Sequence, residues 1–220
     1  MNRIPEPELM IDPVQALAYA QADFDEPHSR FIALLRAHHR GAAAAGVALD
    51  LGCGPGDITF RFARAYPGWE VDGIDASPAM LALARAAARQ AGLATRVAFA
   101  EAHLPSWALP HARYDLVISN SLLHHLADAG ALWAWLASAF PAGTPVFLMD
   151  LMRPASRAAA QALVDRYAAG EPDVLRQDFF NSLLAAYTAE EVRQQVRDAS
   201  LDKLEVAAVS DRHLVISGPL

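Results

Sequence analysis

Ala48-Leu49-Asp50-Leu51-Gly52-Cys53-Gly54-Pro55-Gly56-Asp57 is the stretch whose reading decides the fold. It reads as a buried strand ending beside an acid, a turn with glycine at every second position, and the start of a helix. Glycine takes positive φ without a Cβ penalty and lets a ligand approach the main chain. A helix beginning there points unpaired N–H groups toward that ligand. A diphosphate-binding turn would follow G-x-G-x-x-G. Here Gly52, Gly54 and Gly56 are followed by Asp57, with Asp50 just upstream. Carboxylates repel phosphate, so the turn is expected to take a ligand bearing an ammonium and a sulfonium rather than a dinucleotide. A plain tight turn is the competing reading.

Outward from this turn, short apolar runs alternate with longer helical patterns, as in a parallel sheet with helical crossovers. Strands are expected near Val47–Leu51, Glu70–Ile74, Arg96–Ala100, Asp115–Asn120, Pro145–Asp150, Leu204–Val209 and His213–Ser217. Helices are expected near Asp57–Ala65, Pro78–Ala91, Ala129–Ala139 and Ala189–Ala199. Ser77 precedes Pro78 as a cap before a first-turn proline. Thr188 and Glu191 have capping-box spacing, and Gly92 suits a left-handed helix end. Asp75 closes the second strand 25 residues beyond Asp50, where an acid accepts ribose hydroxyls. Its plainer role is to favour the dipole of the following helix.

These residues resemble the class I S-adenosylmethionine-dependent methyltransferases, over roughly Val47–Asp150. Leu49–Gly56 is similar to that family's first motif, and Gly73-Ile74-Asp75-Ala76-Ser77-Pro78-Ala79-Met80 to its ribose-binding segment. The resemblance implies S-adenosyl-L-methionine as cofactor, with Asp50, Gly52, Cys53, Gly54, Gly56, Asp75, Ala76 and Met80 around it. Glu101-Ala102 would lie beside the adenine, Glu101 near its exocyclic amine. In Tyr114-Asp115-Leu116-Val117-Ile118-Ser119-Asn120-Ser121-Leu122-Leu123-His124-His125-Leu126, Asn120 and Ser121 would meet the methionine portion. The fold implied is a three-layer α/β sandwich on a seven-stranded, mostly parallel, doubly wound sheet with an antiparallel last strand. The family usually has Asp where the third strand here ends in Ala100-Glu101-Ala102; Glu accepts the same bond with a longer reach.

One domain is expected over residues 1–220: a helical lid at 1–45, broken near Pro27, the cofactor-binding core at 46–150, a helical acceptor-side insert at 151–187, and a last helix with a closing strand pair at 188–220. The lid and insert are expected to close over the crevice at the carboxyl ends of the strands.

Catalytic groups are less defined by the sequence. His125 is the leading candidate, with a structural histidine as the equal alternative. His28 would reach in from the lid, against a surface-loop reading that is favoured. Tyr19 either covers the cofactor or packs. Adjacent His124 and His125 are expected to diverge, and no zinc-type spacing is present, so no metal is expected. Arg153, Arg176 and Arg212 suit an acceptor carboxylate, although ion pairs are the commoner use. Phe179, Phe180 and Tyr187 line an acceptor pocket or form core. Cys53 reads as a small buried filler, and Trp107, Trp133 and Trp135 as packing.

The composition bounds the partners. With 220 residues, 54% of them hydrophobic, the chain suffices for one well-buried core and excludes disorder. Lys+Arg at 18 against Asp+Glu at 25 gives a net charge of −7 with no dense basic run, which disfavours nucleic acid and favours a small-molecule acceptor. No apolar run approaches the roughly 18 residues of a membrane helix, and Met1–Glu8 lacks a secretory segment. A cytoplasmic protein, monomer or homodimer, is expected. Methyl transfer is the leading function. A non-catalytic S-adenosylmethionine-binding module and a nicotinamide-dependent oxidoreductase are the alternatives.

Overall fold

A computed structural model describes residues 1–6, 13–41, 43–103, 109, 111 and 113–220. Two helices, α1 (Pro13–Gln21) and α2 (Asp25–His38), precede the first strand. The alternating core runs β1 (Gly46–Leu51), α3 (Asp57–Ala65), β2 (Trp69–Asp75), α4 (Pro78–Gln90), β3 (Val97–Glu101), β4 (Leu116–Asn120), α5 (Ala129–Ala139) and β5 (Pro145–Leu151). After it come α6 (Arg157–Tyr167), α7 (Asp173–Ala185), α8 (Ala189–Asp198), β6 (Glu205–Ala208) and β7 (His213–Pro219). The seven strands form one sheet in the order β3-β2-β1-β4-β5-β7-β6. Pairings are parallel from β3 across to β5, and β7 runs antiparallel to both β5 and β6.

The central strands β1, β4 and β5, with β7 beside them, are largely buried and apolar because both faces of the sheet are covered there. Successive side chains alternate between two cores. Leu49 and Leu51, Val146 and Leu148, Leu214 and Ile216 pack with Leu132, Trp133, Leu136, Val192 and Val196 of α5 and α8. Ala48, Phe147, Met149 and Val215 face the other way, onto Phe31 and Leu35 of α2, Ile58 and Phe62 of α3, and Ala88 of α4. A third, smaller core joins Leu151 to Ala160, Val164, Leu183 and Leu184 of α6 and α7.

Local chemistry sets the helix ends. The Ser77 side chain accepts the Met80 N–H ahead of Pro78, and Thr188 with Glu191 forms the expected capping box. The break in the lid is displaced from its expected place. It falls between Gln21 and Asp25, while Pro27 sits in the first turn of α2, where its missing N–H has no intrahelical partner to lose. Among the described residues no helix is long and apolar enough to cross a membrane.

The order reverses at β1, whose two neighbours are β2 and β4. Crossovers leave in opposite directions there and open a crevice beyond the carboxyl ends of the strands.

Candidate cofactor and acceptor site

The turn after β1 is built from three left-handed glycines, Gly52, Gly54 and Gly56, at φ of 66°, 53° and 90°. Two of them differ in purpose. A Cβ on Gly56 would stand 2.9 Å from the Phe60 ring, so this glycine permits the packing that starts α3. A Cβ on Gly54 would meet nothing within 4 Å, because Gly54 borders the cavity described below.

Asp75, at the end of β2, staples the turn. Its Oδ2 accepts the Gly54 N–H at 2.8 Å and its Oδ1 the Ser77 N–H at 2.8 Å. Burial raises its pKa, against the lowering effect of the N–H groups of Ser77, Gly54 and Ala76. Asp50 is 1% exposed and accepts the Thr59 hydroxyl at 2.6 Å. Burial pushes it up to about 7, with the Thr59 bond opposing and Asp75 adding to the rise. Two carboxyls thus stand in a partly dehydrated corner without a permanent cation of their own, a setting that favours a cationic ligand.

Above the turn lies a cavity of about 360 Å³. Its walls come from the β1 turn, the ends of β2, β3 and β4, and the lid segment around Tyr19 and Phe24. Asp50, Gly52, Cys53, Gly54, Asp75, Ala76, Met80, Ala102, Asn120, Ser121, Tyr19, His28 and His125 all border it, so the structure brings these sequence-derived candidates together. Gly56 and Glu101 do not. Glu101 ends edge strand β3 with its side chain 53% exposed, 3.9 Å from His103. Asn120 donates to the Ser121 hydroxyl at 3.2 Å, while its buried Oδ1 has no partner among the described residues. Ser121 takes a φ of 60°, a strained conformation of the kind that clusters at ligand sites.

Residues 48–140 match the family described as "Methyltransferase domain". Trans-aconitate 2-methyltransferase of Streptomyces avermitilis is 39% identical over 99 residues, which are 44% of this chain and 36% of that protein. The enzyme of the same name from Methylobacterium radiotolerans is 43% identical over 86 residues, 39% of this chain and 30% of that one. The matched segments span about a third of these relatives' length. Two solved structures are similar over nearly the whole chain. One is an S-adenosylmethionine-dependent methyltransferase from Aquifex aeolicus, with TM-score 0.68, 16% identity, and 94% of this chain and 98% of that one covered. The other is a putative enzyme of that kind from Methanococcus maripaludis, with TM-score 0.72, 16% identity, and 98% and 96% covered. Residues 48–140 are thus similar to a methyltransferase domain, and the whole chain shares the fold of those two structures.

Several side chains of this core and of the N-terminal helices stand elsewhere than the sequence suggested. His28 is in no surface loop; it is 7% exposed within α2, and its Nδ1 lies 2.6 Å from Asp57. Arg61 donates to Asp57 at 2.7 Å and pairs with Asp25 at 2.9 Å. This cluster fastens α2 to α3. Burial would raise the Asp57 pKa, but the bonds from His28 and Arg61 outweigh it and hold it below the usual value. The charge at Asp57 is therefore already answered by the Arg61 guanidinium, and its expected repulsion of phosphate is largely spent. The selection rests on Asp50 and Asp75.

The expected divergence of His124 and His125 is not found. They lie on a single 3-10 turn, Leu123–His125, with ring centroids 4.1 Å apart. His124 Nδ1 lies 2.6 Å from Asp150. Burial lowers the His124 pKa and Asp150 raises it, with the rise prevailing. Burial and the charge of His124 push His125 down to about 3, so its imidazole is neutral.

Lid residues Asp23, Phe24 and Asp25 also border the cavity. Phe24 bridges Tyr19 and His28, at centroid distances of 4.8 Å and 5.3 Å. Burial pushes the Tyr19 hydroxyl up to about 12, aided by Asp75. Only the short lid helix hints at these residues in the sequence.

The remaining candidates are structural. Arg153 pairs with Glu191, Arg176 with Asp165 and Arg212 with Glu26. Phe179 and Phe180 pack on the third core. Tyr187, Trp133 and Trp135 belong to the first core, and Trp107 lies outside the described residues. Cys53 is buried, and burial raises its thiol pKa well above the usual value, as expected for a filler rather than a nucleophile.

Proposed function

We propose that this protein transfers a methyl group from S-adenosyl-L-methionine to a small acceptor by in-line displacement. The observation that carries the reading is the Asp75-stapled glycine turn, open to the cavity at Gly54 and flanked by the buried Asp50. The orphaned Asn120 Oδ1 on the same wall supports it, since an ammonium group would satisfy that atom. Asp75 would hold the ribose hydroxyls, Asn120 and Ser121 the methionine portion with Asp50 balancing its charge, and Ala76, Met80 and Ala102 the base. Glu101, outside the cavity, takes no part in this assignment.

The cofactor supplies a methyl already activated on a sulfonium, so the protein's work is alignment and exclusion of water. Alignment contributes at most about 7–11 kcal/mol, and the Tyr19–Phe24 lid keeps water from the site. His125, on the cavity wall, is assigned to the acceptor side. His28 is assigned to holding the lid on α3.

The charged lining narrows the acceptor. Of the carboxylates bordering the cavity, Asp25 and Asp57 are already paired with Arg61, which leaves Asp23, Asp50 and Asp75 to set its charge. A neutral or cationic acceptor, a hydroxyl or amine compound, fits this lining better than the polycarboxylate named for the curated relatives. A cytoplasmic protein acting on a soluble metabolite is part of this reading.

Calorimetric titration with S-adenosylmethionine and with NAD tests it, followed by release of demethylated cofactor across a panel of amines, alcohols and polycarboxylates. Binding of the sulfonium compound alone and turnover with amines or alcohols are expected. NAD binding alone overturns the assignment, and cofactor binding without turnover over the panel moves it to a binding module. Gly54→Ala gives a separate check. Its Cβ enters the cavity and the left-handed backbone adds about 1–2 kcal/mol of strain, so the variant is expected to fold with a modestly lower Tm yet bind S-adenosylmethionine at least about 10-fold more weakly. Unchanged affinity would place the cofactor elsewhere.

A further inference from the structure

We infer that Glu6, His124 and His125 form a site for a zinc-class divalent cation at the rim of the cavity, closing the N-terminal strap onto the turn after β4. This site is independent of the methyl-transfer reading, because it is tested with metal alone.

One ligand atom from each of the three side chains lies within 4.8 Å of the other two. Glu6 Oε1 is 3.2 Å from His125 Nδ1 and 3.5 Å from His124 Nε2. Ligands about 2.1 Å from a tetrahedral zinc stand roughly 3.4 Å apart, so both separations suit a shared ion. Two imidazoles and one carboxylate is a donor set found for zinc with an open position, and a poor one for magnesium or calcium, which prefer all-oxygen shells.

The supporting contacts have the form expected around a metal. Asp150 holds His124 Nδ1 at 2.6 Å, leaving Nε2 to face Glu6, the carboxylate–histidine arrangement that orients a ligand. The Ser182 hydroxyl donates to Glu6 Oε1 at 3.0 Å. His125 Nδ1 is buried and has no hydrogen-bond partner among the described residues, although a carboxylate oxygen stands next to it. A cation coordinated by both atoms resolves this pairing.

The surrounding charge also suits a cation. Asp150 and Asp178 act on Glu6 from the sheet and from α7. The nearby cation, Arg3, is spent on the carbonyls of His124, Leu126 and Ala185. Arg3 and Ile4, bonded to the Leu184 carbonyl at 3.0 Å, fix the strap independently of the ion, so the three donors are preorganised.

Tag-free, chelator-stripped protein titrated with cobalt(II) should develop visible d–d absorption saturating at one equivalent, and zinc should displace it. Glu6→Gln and His125→Ala should each abolish the absorption while far-ultraviolet circular dichroism stays that of the parent. Asp150→Asn should weaken cobalt binding about 10–100-fold, as loss of an orienting partner does. Absence of cobalt absorption in the parent protein overturns the site. So does absorption that persists when Glu6→Gln and His125→Ala are combined in a folded protein.

Discussion

Replacing Asp75 by alanine is expected to weaken S-adenosylmethionine binding by about 10- to 100-fold and to lower the Tm of the free protein as well. The carboxylate does two jobs at once. It accepts the N–H groups of Gly54 and Ser77, each at 2.8 Å, and in the proposed complex it also takes the ribose hydroxyls. Removing an acceptor from a buried donor forfeits about 1–3 kcal/mol per group. Two main-chain donors lose their partner, one in the glycine turn and one ahead of α4, so the turn loosens where the cofactor needs it fixed. Asp75→Asn separates the roles. One amide oxygen still accepts from one of these N–H groups, so stability is expected to recover more than affinity. Isothermal calorimetry with paired thermal melts makes the measurement. Affinity within two-fold of the parent for both variants would remove Asp75 from the cofactor site.

The core could be read from the sequence because its signals are local. The apolar alternation around Leu49, Leu148 and Ile216 and the cap at Ser77 each act within a few residues, and α3 and α5 begin and end where their patterns do. Misreadings arose where a side chain's fate depends on a distant element. Glu101 ends a strand, which places it at the correct level of the sheet. But β3 is an edge strand, and among the described residues no element beyond it turns the side chain inward. Pro27 reads as a break from sequence alone, yet it sits in a first turn, where proline is tolerated. Adjacent histidines diverge on a strand or a long helix; on a single 3-10 turn, with Asp150 from β5 holding one ring, they lie side by side with centroids 4.1 Å apart. Glu6 approaches them from the other end of the chain, a proximity that no spacing rule encodes. Asp57 shows the same limit for charge. Its sign was legible; its hydrogen bond with His28 and its pairing with Arg61 were not.

Asp50→Asn is expected to raise the Tm of the ligand-free protein at pH 8 while costing it most of its affinity for S-adenosylmethionine. Burial lifts the Asp50 carboxyl from the ordinary 3.8 to about 7. A folded-state value above the unfolded one means that the folded protein favours the protonated form. The associated stability is fully present below about pH 4 and is lost as pH rises toward 7. Above pH 7 the fold carries a buried charge, and each unit of displacement corresponds to about 1.4 kcal/mol. Asparagine cannot ionise, and its Oδ1 still accepts the Thr59 hydroxyl, so the penalty disappears without a lost bond. Because about 1 kcal/mol moves the Tm of a chain this size by about 2–4 °C, a rise of at least about 5 °C is expected at pH 8 and almost none at pH 4. Binding responds in the opposite sense, because a cationic ligand draws its benefit from the ionised carboxylate. The parent should therefore release close to a proton on binding near pH 6, seen as a buffer-dependent enthalpy, and the variant should not. Melts at the two pH values and calorimetry in two buffers decide the matter. A variant less stable than the parent at pH 8, or one that binds the cofactor as tightly, would show that Asp50 is no latent counter-charge for the site.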